Sequence, residues 1–254
     1  MQRYREAPED LDASSALGAT LFTTSELGDD GHPLVVMSDS PLSDVQLAGL
    51  RLGGRFLIER TSIVEVLSPE LLFTNEADAA GSPLVLGDPT SDLRGGLDEA
   101  KLVASLVGVE PMLQSLATRR ALLSIRRPSV LHVAAHSRVE HGRAEILLAD
   151  GAMSSTELLN AAIAPRVAVI ASCNSGRGDD PSVSLVAVFL ANGSEAVIGA
   201  KRPLDDREST GILVDFYRNN GVNKPAQALA TAQRLAIRRG VAPHVWAALA
   251  VFGR

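Results

Sequence analysis

The fold of this chain is limited most by its short apolar runs, several of which lack the polar–apolar alternation of a half-exposed strand. They occupy residues 34–37, 63–67, 84–86, 130–134, 167–171, 196–198 and 246–252. A strand that is apolar on both faces has to be covered on both, and open sheets manage this by lying between two layers of helices. Segments with helical spacing separate the runs. Leu97, Ala100, Val103, Ala104 and Val107 form one stripe, closed by Gly108. Thr118 is placed to cap a helix that carries Leu122 and Ile125 and stops before Pro128. Ser154 and Glu157 have the spacing of a capping box. Further helices are expected over 184–192 before Gly193, over 207–220 before Gly221, and from Pro225 to Gly240. Strands alternating with helices predict an α/β protein, a three-layer α/β/α sandwich around a mostly parallel central sheet.

Residues 1–14 are polar and charged without a period, so they read as a flexible lead-in that adds little to the core, and 15–254 as the folded domain. Aromatic residues make up only 4%, which leaves the core to aliphatic side chains. The net charge of −6 argues against non-specific affinity for nucleic acid or an anionic membrane surface, so neither is expected as a partner. The chain opens without a basic stretch followed by an apolar run, and no apolar stretch approaches 18 residues, which reads as a cytoplasmic protein. A single cysteine, Cys173, excludes an intrachain disulfide and a multi-cysteine metal site. It is either inert packing or a reactive thiol.

Two strand ends carry reactive side chains. The run 130–134 leads to His136, and the run 167–171 leads to Cys173. The segment between is long enough for a crossover that returns the second strand parallel to the first. Neighbouring strands would then bring imidazole and thiol together above one edge of the sheet, where ligands of open α/β sheets bind. A thiol so placed is a nucleophile and the histidine its general acid/base, attacking a carbonyl and protonating the leaving group. The backbone N–H groups of Ser137 and Cys173, on turns leaving those strands, are the natural donors to an oxyanion.

The competing chemistries lack their parts. The chain has no Gly-x-Ser-x-Gly elbow, no phosphate-binding Walker motif and no dinucleotide glycine fingerprint. His132 lies inside a strand and reads as a core residue, while His32, His141 and His244 sit in turns or beside prolines. His132 and His136 stand roughly 13 Å apart on a strand, too far to share a zinc ion. No metal or organic cofactor is expected.

From His132 onward the chain resembles the CHAT domain, a caspase-like cysteine peptidase module of the group that includes caspases, separases and gingipains. Val130-Leu-His-Val-Ala-Ala-His136 is similar to the family's strand ending in its histidine, and Ala171-Ser-Cys173-Asn-Ser-Gly176 to its cysteine turn. Leu147-Leu-Ala-Asp-Gly151 with Ser154 to Leu158 is similar to its hairpin and helix start, and Gly87-Asp-Pro-Thr90, Leu93 and Glu99-Ala100 to a segment upstream. The resemblance implies a caspase-like fold and a cysteine endopeptidase with His136 and Cys173 as its dyad. It implies a protein or peptide substrate, and activation by a partner or sensor protein. Two features depart from the pattern. Ser137 stands where the family commonly has glycine, which leaves a catalytically silent interaction module as the alternative. Lys201 and Arg202 occupy a loop that borders the specificity pocket in caspase-like folds, and as substrate-binding residues they would favour an acidic side chain before the scissile bond; the other reading is a solvated loop beside Asp205 and Asp206.

Overall fold

A computed structural model describes residues 2, 4, 7, 9–23, 27, 32–37, 42–69, 81–172, 184–204 and 206–253, with the side chain of Asp206 excepted. Cys173, the Gly176–Pro181 segment and Asp205 lie outside the described residues. Thirteen strands are described: β1 (Leu34–Met37), β2 (Arg51–Leu52), β3 (Arg55–Phe56), β4 (Ile63–Val66), β5 (Leu84–Gly87), β6 (Met112–Leu113), β7 (Val130–Ala134), β8 (Ser137–Glu140), β9 (Arg143–Leu148), β10 (Gly151–Ser154), β11 (Val167–Ala171), β12 (Ala196–Ala200) and β13 (Leu249–Gly253). The α-helices among them are α1 (Leu11–Leu21), α2 (Arg94–Val107), α3 (Arg119–Leu122), α4 (Ser155–Ala161), α5 (Leu185–Ala191), α6 (Asp206–Arg218), α7 (Pro225–Arg238) and α8 (Pro243–Trp246).

Eight strands form one sheet in the order β1-β4-β13-β12-β11-β7-β5-β6. Every neighbouring pair is parallel except β12 with β13. The sheet is therefore two parallel blocks that meet antiparallel, and β7, β11, β5 and β12 all end on the same edge. Alternate residues of the central strands feed two cores, as strand geometry requires. Val130, Val167 and Val169 pack with Val103, Leu213, Phe216 and Leu229 of α2, α6 and α7. Leu131, Val133, Ala168 and Ile170 pack with Leu158 of α4 and with Val186 and Phe189 of α5. This is the expected three-layer sandwich. β8, β9 and β10 form a separate antiparallel sheet, in which His141 and Gly142 both take positive φ in the turn between β8 and β9, as a two-residue hairpin needs.

Local signals account for much of this. Ser154 Oγ accepts from Glu157 N, and the Glu157 carboxylate accepts from Ser154 N, completing the capping box of α4. Gly108 ends α2 in the left-handed conformation at φ 75°. Gly87 allows α2 to lie directly on β5, since a Cβ there would stand 2.3 Å from that of Ala100.

Four expectations are corrected. The first concerns residues 1–14. Tyr4 is 1% exposed and donates to Gln46 O at 2.8 Å, and Ser14 is buried with its hydroxyl on Gly49 O at 2.7 Å. Helix α1 starts at Leu11, capped by the Asp10 carboxylate, and buries Ser14, Leu17 and Gly18. Its inward face mixes Leu17 with the small residues Ser14 and Gly18, so its apolar period is weak. Secondly, Thr118 does cap a helix, accepting from Ala121 N, but α3 ends at Leu122, and beyond it the Arg126 and Arg127 carbonyls accept from Ala164 N and Gly81 N. Thirdly, Trp246 closes α8, which Pro243 starts, and β13 begins only at Leu249. The fourth is Lys201. It is 2% exposed, and its ammonium reaches Glu65 Oε2 of β4 at 2.5 Å and Val45 O at 2.8 Å. A lysine on the end of a central strand has its stem in the core, and its charge finds a buried carboxylate instead of solvent or a substrate.

Candidate active site

The site lies where β7 and β11 end. In the parallel ladder between them Ala134 pairs with Ala171. His136 is the second residue past Ala134, and Cys173 the second past Ala171. The imidazole of His136 and the chain at Ser172, bonded to Cys173, line a common cavity of about 230 Å3. The cavity sits between the start of α2, the strand ends and the approach to α6, lined also by Leu93, Glu99, Leu204 and Ser209.

The His136 backbone is held by the hairpin that follows it, since its carbonyl accepts from Leu147 N at 2.9 Å. Its ring is held by a carboxylate the sequence reading did not single out. His136 Nε2 lies 3.2 Å from Asp92 Oδ1, with the two side chains 40% and 66% exposed. Asp92 owes its place to the loop after β5. There the Asp88 carboxylate accepts from Leu93 N at 2.8 Å while Asp88 N donates to Ala134 O at 2.9 Å, tying the loop to β7. The Asp92 carboxyl is held below its ordinary range, first by the Thr90 hydroxyl bonded to Oδ1 and then by His136. A carboxylate facing Nε2 keeps the proton on that nitrogen and leaves Nδ1 as the basic one. The signal for Asp92 was positional: it follows the Gly87-Asp-Pro-Thr90 turn at the end of the strand beside β7.

Below the cavity lies a second group. His132 is buried, as expected, with Nδ1 3.1 Å from the Tyr217 hydroxyl and Nε2 3.1 Å from Glu99 Oε1. Burial, and next the Glu99 charge, push the Tyr217 hydroxyl well above its ordinary range, so it stays protonated within hydrogen-bond distance of Nδ1. His132 and His136 thus serve different partners. Ser137 opens β8 beside the cavity. Lys201 and Arg202 do not line it.

A profile of the CHAT domain matches residues 11–254. No curated protein sequence matches the chain. Among solved structures it is similar to the Arg-specific cysteine proteinase gingipain R, with a TM-score of 0.64 and 10% identity over 97% of this chain and 68% of that one. It is similar to the complex of Porphyromonas gingivalis RgpB pro- and mature domains, with a TM-score of 0.61 and 9% identity over 97% of this chain and 69% of that one. It is also similar to Saccharomyces cerevisiae separase in its complex with securin, with a TM-score of 0.55 and 15% identity, covering 79% of this chain and 14% of that one. At such identities the likeness is one of fold.

Proposed function

Because the chain belongs to the CHAT-domain family, we propose that it is a cysteine endopeptidase that cuts a protein substrate through Cys173 and His136. One observation carries this reading: His136 and Ser172, the residue bonded to Cys173, line a single cavity at the ends of two paired strands. The sulfur of Cys173 attacks a peptide carbonyl carbon, a C–S bond forms and the C–N bond breaks. The thiol proton, taken up by His136 Nδ1, passes to the departing amine. Water then adds to the thioester and releases the carboxylic acid, which restores the thiol. Backbone N–H groups of Ser137 and Cys173 serve the oxyanion, each worth about 3 kcal/mol. Asp92 is a positioning residue that sets the tautomer of His136.

The substrate is an extended segment of another protein, and a partner or sensor protein governs access to the dyad. Gingipain R with its pro-domain and separase with securin are protein complexes of this fold. The serine after His136 supports a second reading, a catalytically silent module that docks proteins.

The rate of iodoacetamide alkylation at Cys173 separates the two. In the peptidase, Cys173 reacts at least tenfold faster than free cysteine, and His136→Ala removes the advantage. Reaction at the rate of free cysteine in both proteins, with the activator present, would leave the silent module. Asp92→Asn turns an amide toward Nε2 and favours the wrong tautomer, so kcat should fall about 10- to 100-fold with KM unchanged. A change confined to KM would remove Asp92 from the mechanism.

A further inference from the structure

We propose that Thr90 is a further positioning residue for His136, whose hydroxyl holds the Asp92 carboxylate in the orientation that faces the imidazole. The proposal deepens the peptidase reading and rests on it. Thr90 Oγ1 donates to Asp92 Oδ1 at 2.5 Å, and His136 Nε2 lies 3.2 Å from the same oxygen. A single oxygen therefore meets both groups, and the hydroxyl fixes where that oxygen stands. The turn Gly87-Asp-Pro-Thr90, a recognisable motif in the sequence, thereby gains a task in the site.

The need for such a hold comes from exposure. The Asp92 side chain is 66% exposed and that of His136 40%. A contact so open to water is weak and screened by salt, and by itself it does not keep a carboxylate from swinging into solvent. A donor carried on a rigid frame removes that freedom. The frame is the loop between β5 and α2. Pro89 fixes its own φ, Ser91 N donates to Asp88 O at 3.1 Å, and Asp88 and Ser91 take φ of 50° and 63°, so the chain turns sharply there. Asp88 is buried, and its carboxylate accepts from Leu93 N at 2.8 Å and from Gln114 Nε2 at 3.4 Å, which ties the start of the loop to its end and to the chain after β6. The Thr90 bond is also the first cause of the low position of the Asp92 carboxyl. Asp92 thus stays ionised beside the ring and orients it without taking its proton.

The test is made on the full chain. Thr90→Val keeps the shape of the side chain and removes the hydroxyl, so it should lower the His136-dependent rate of Cys173 alkylation by iodoacetamide about 2- to 10-fold, the worth of one hydrogen bond. Thr90→Ser should restore the rate lost in Thr90→Val, and Thr90→Val combined with Asp92→Ala should cost nothing beyond Asp92→Ala alone. A readout that needs no activity is the Asp92 carboxyl-carbon resonance followed against pH. Its midpoint should rise toward the ordinary carboxylate range in Thr90→Val and stay low in Thr90→Ser. The wild-type rate in a folded Thr90→Val chain, an equal loss in Thr90→Ser, an additive loss with Asp92→Ala, or an unmoved Asp92 midpoint would each overturn the proposal. Failure of the peptidase reading has a different mark, a wild-type Cys173 that reacts no faster than free cysteine, and the Asp92 midpoint then still decides what Thr90 does to the carboxylate.

Discussion

Cys173→Ala should abolish cleavage of every bond that the wild-type enzyme cuts, and His136→Ala should lower kcat/KM about 10²- to 10⁴-fold. The two variants fail for different reasons. Alanine at 173 removes the atom that forms the acyl-enzyme, so no thioester accumulates on the protein. Alanine at 136 leaves a thiol that is still a nucleophile but is mostly protonated at neutral pH, and the departing amine has no proton donor. Raising the pH should therefore recover part of the His136→Ala rate, because hydroxide does the base's work, and should recover nothing for Cys173→Ala. Comparing proteome-wide cleavage in the wild type and Cys173→Ala identifies the substrate in the same experiment. Cleavage sites that persist unchanged in Cys173→Ala would refute the mechanism.

Lys201→Met should destabilise the protein by about 3–5 kcal/mol, which is the cost of leaving a buried partner charge uncompensated. For a domain of this size that lowers the melting temperature by roughly 6–20 °C. The effect has a definite pH dependence. Burial, opposed by the Lys201 charge and hydrogen bond, holds the Glu65 carboxyl above its ordinary value. The folded protein therefore binds the Glu65 proton more readily than the unfolded chain, so ionising Glu65 works against folding. Its contribution is fully present below the unfolded value of about 4.3 and is lost as the pH rises through the folded one. Without Lys201 that loss deepens, so the deficit of Lys201→Met should be small near pH 4 and large at pH 8. Lys201→Met combined with Glu65→Leu should regain most of the stability, since neither member of the pair is then left as an uncompensated charge. Equal denaturation midpoints for wild type and Lys201→Met at pH 8 would refute this account.

The contrast between Lys201 and His136 marks where sequence reading reaches its limit. Both follow apolar strands of the same sheet, and both read as reactive or substrate-facing groups. The difference is in what lies across from each. His136 ends at a cavity with an exposed carboxylate, and Lys201 ends at Glu65, a residue 136 positions away in the chain. Glu99 shows the same limit from the other side. In the sequence it belongs to Glu99-Ala100, a pair similar to the family's upstream segment, and only the packing of α2 on β7 turns it inward against His132.

Local and periodic features were therefore legible from the chain alone. Most of the non-alternating runs specified strands covered on both faces, Ser154 with Glu157 and Gly108 set helix ends, and the strand ends before His136 and Ser172 marked the cavity, because each of these depends on residues a few positions apart. The helix α1 escaped because the small residues Ser14 and Gly18 share its inward face with Leu17, which weakens the apolar period. Pairing decisions belonged to the tertiary structure: which strands are neighbours, which carboxylate meets which cation, and which polar side chains line the cavity. Such contacts join residues tens to more than a hundred positions apart, and burial sets their energy, so no window of sequence contains them.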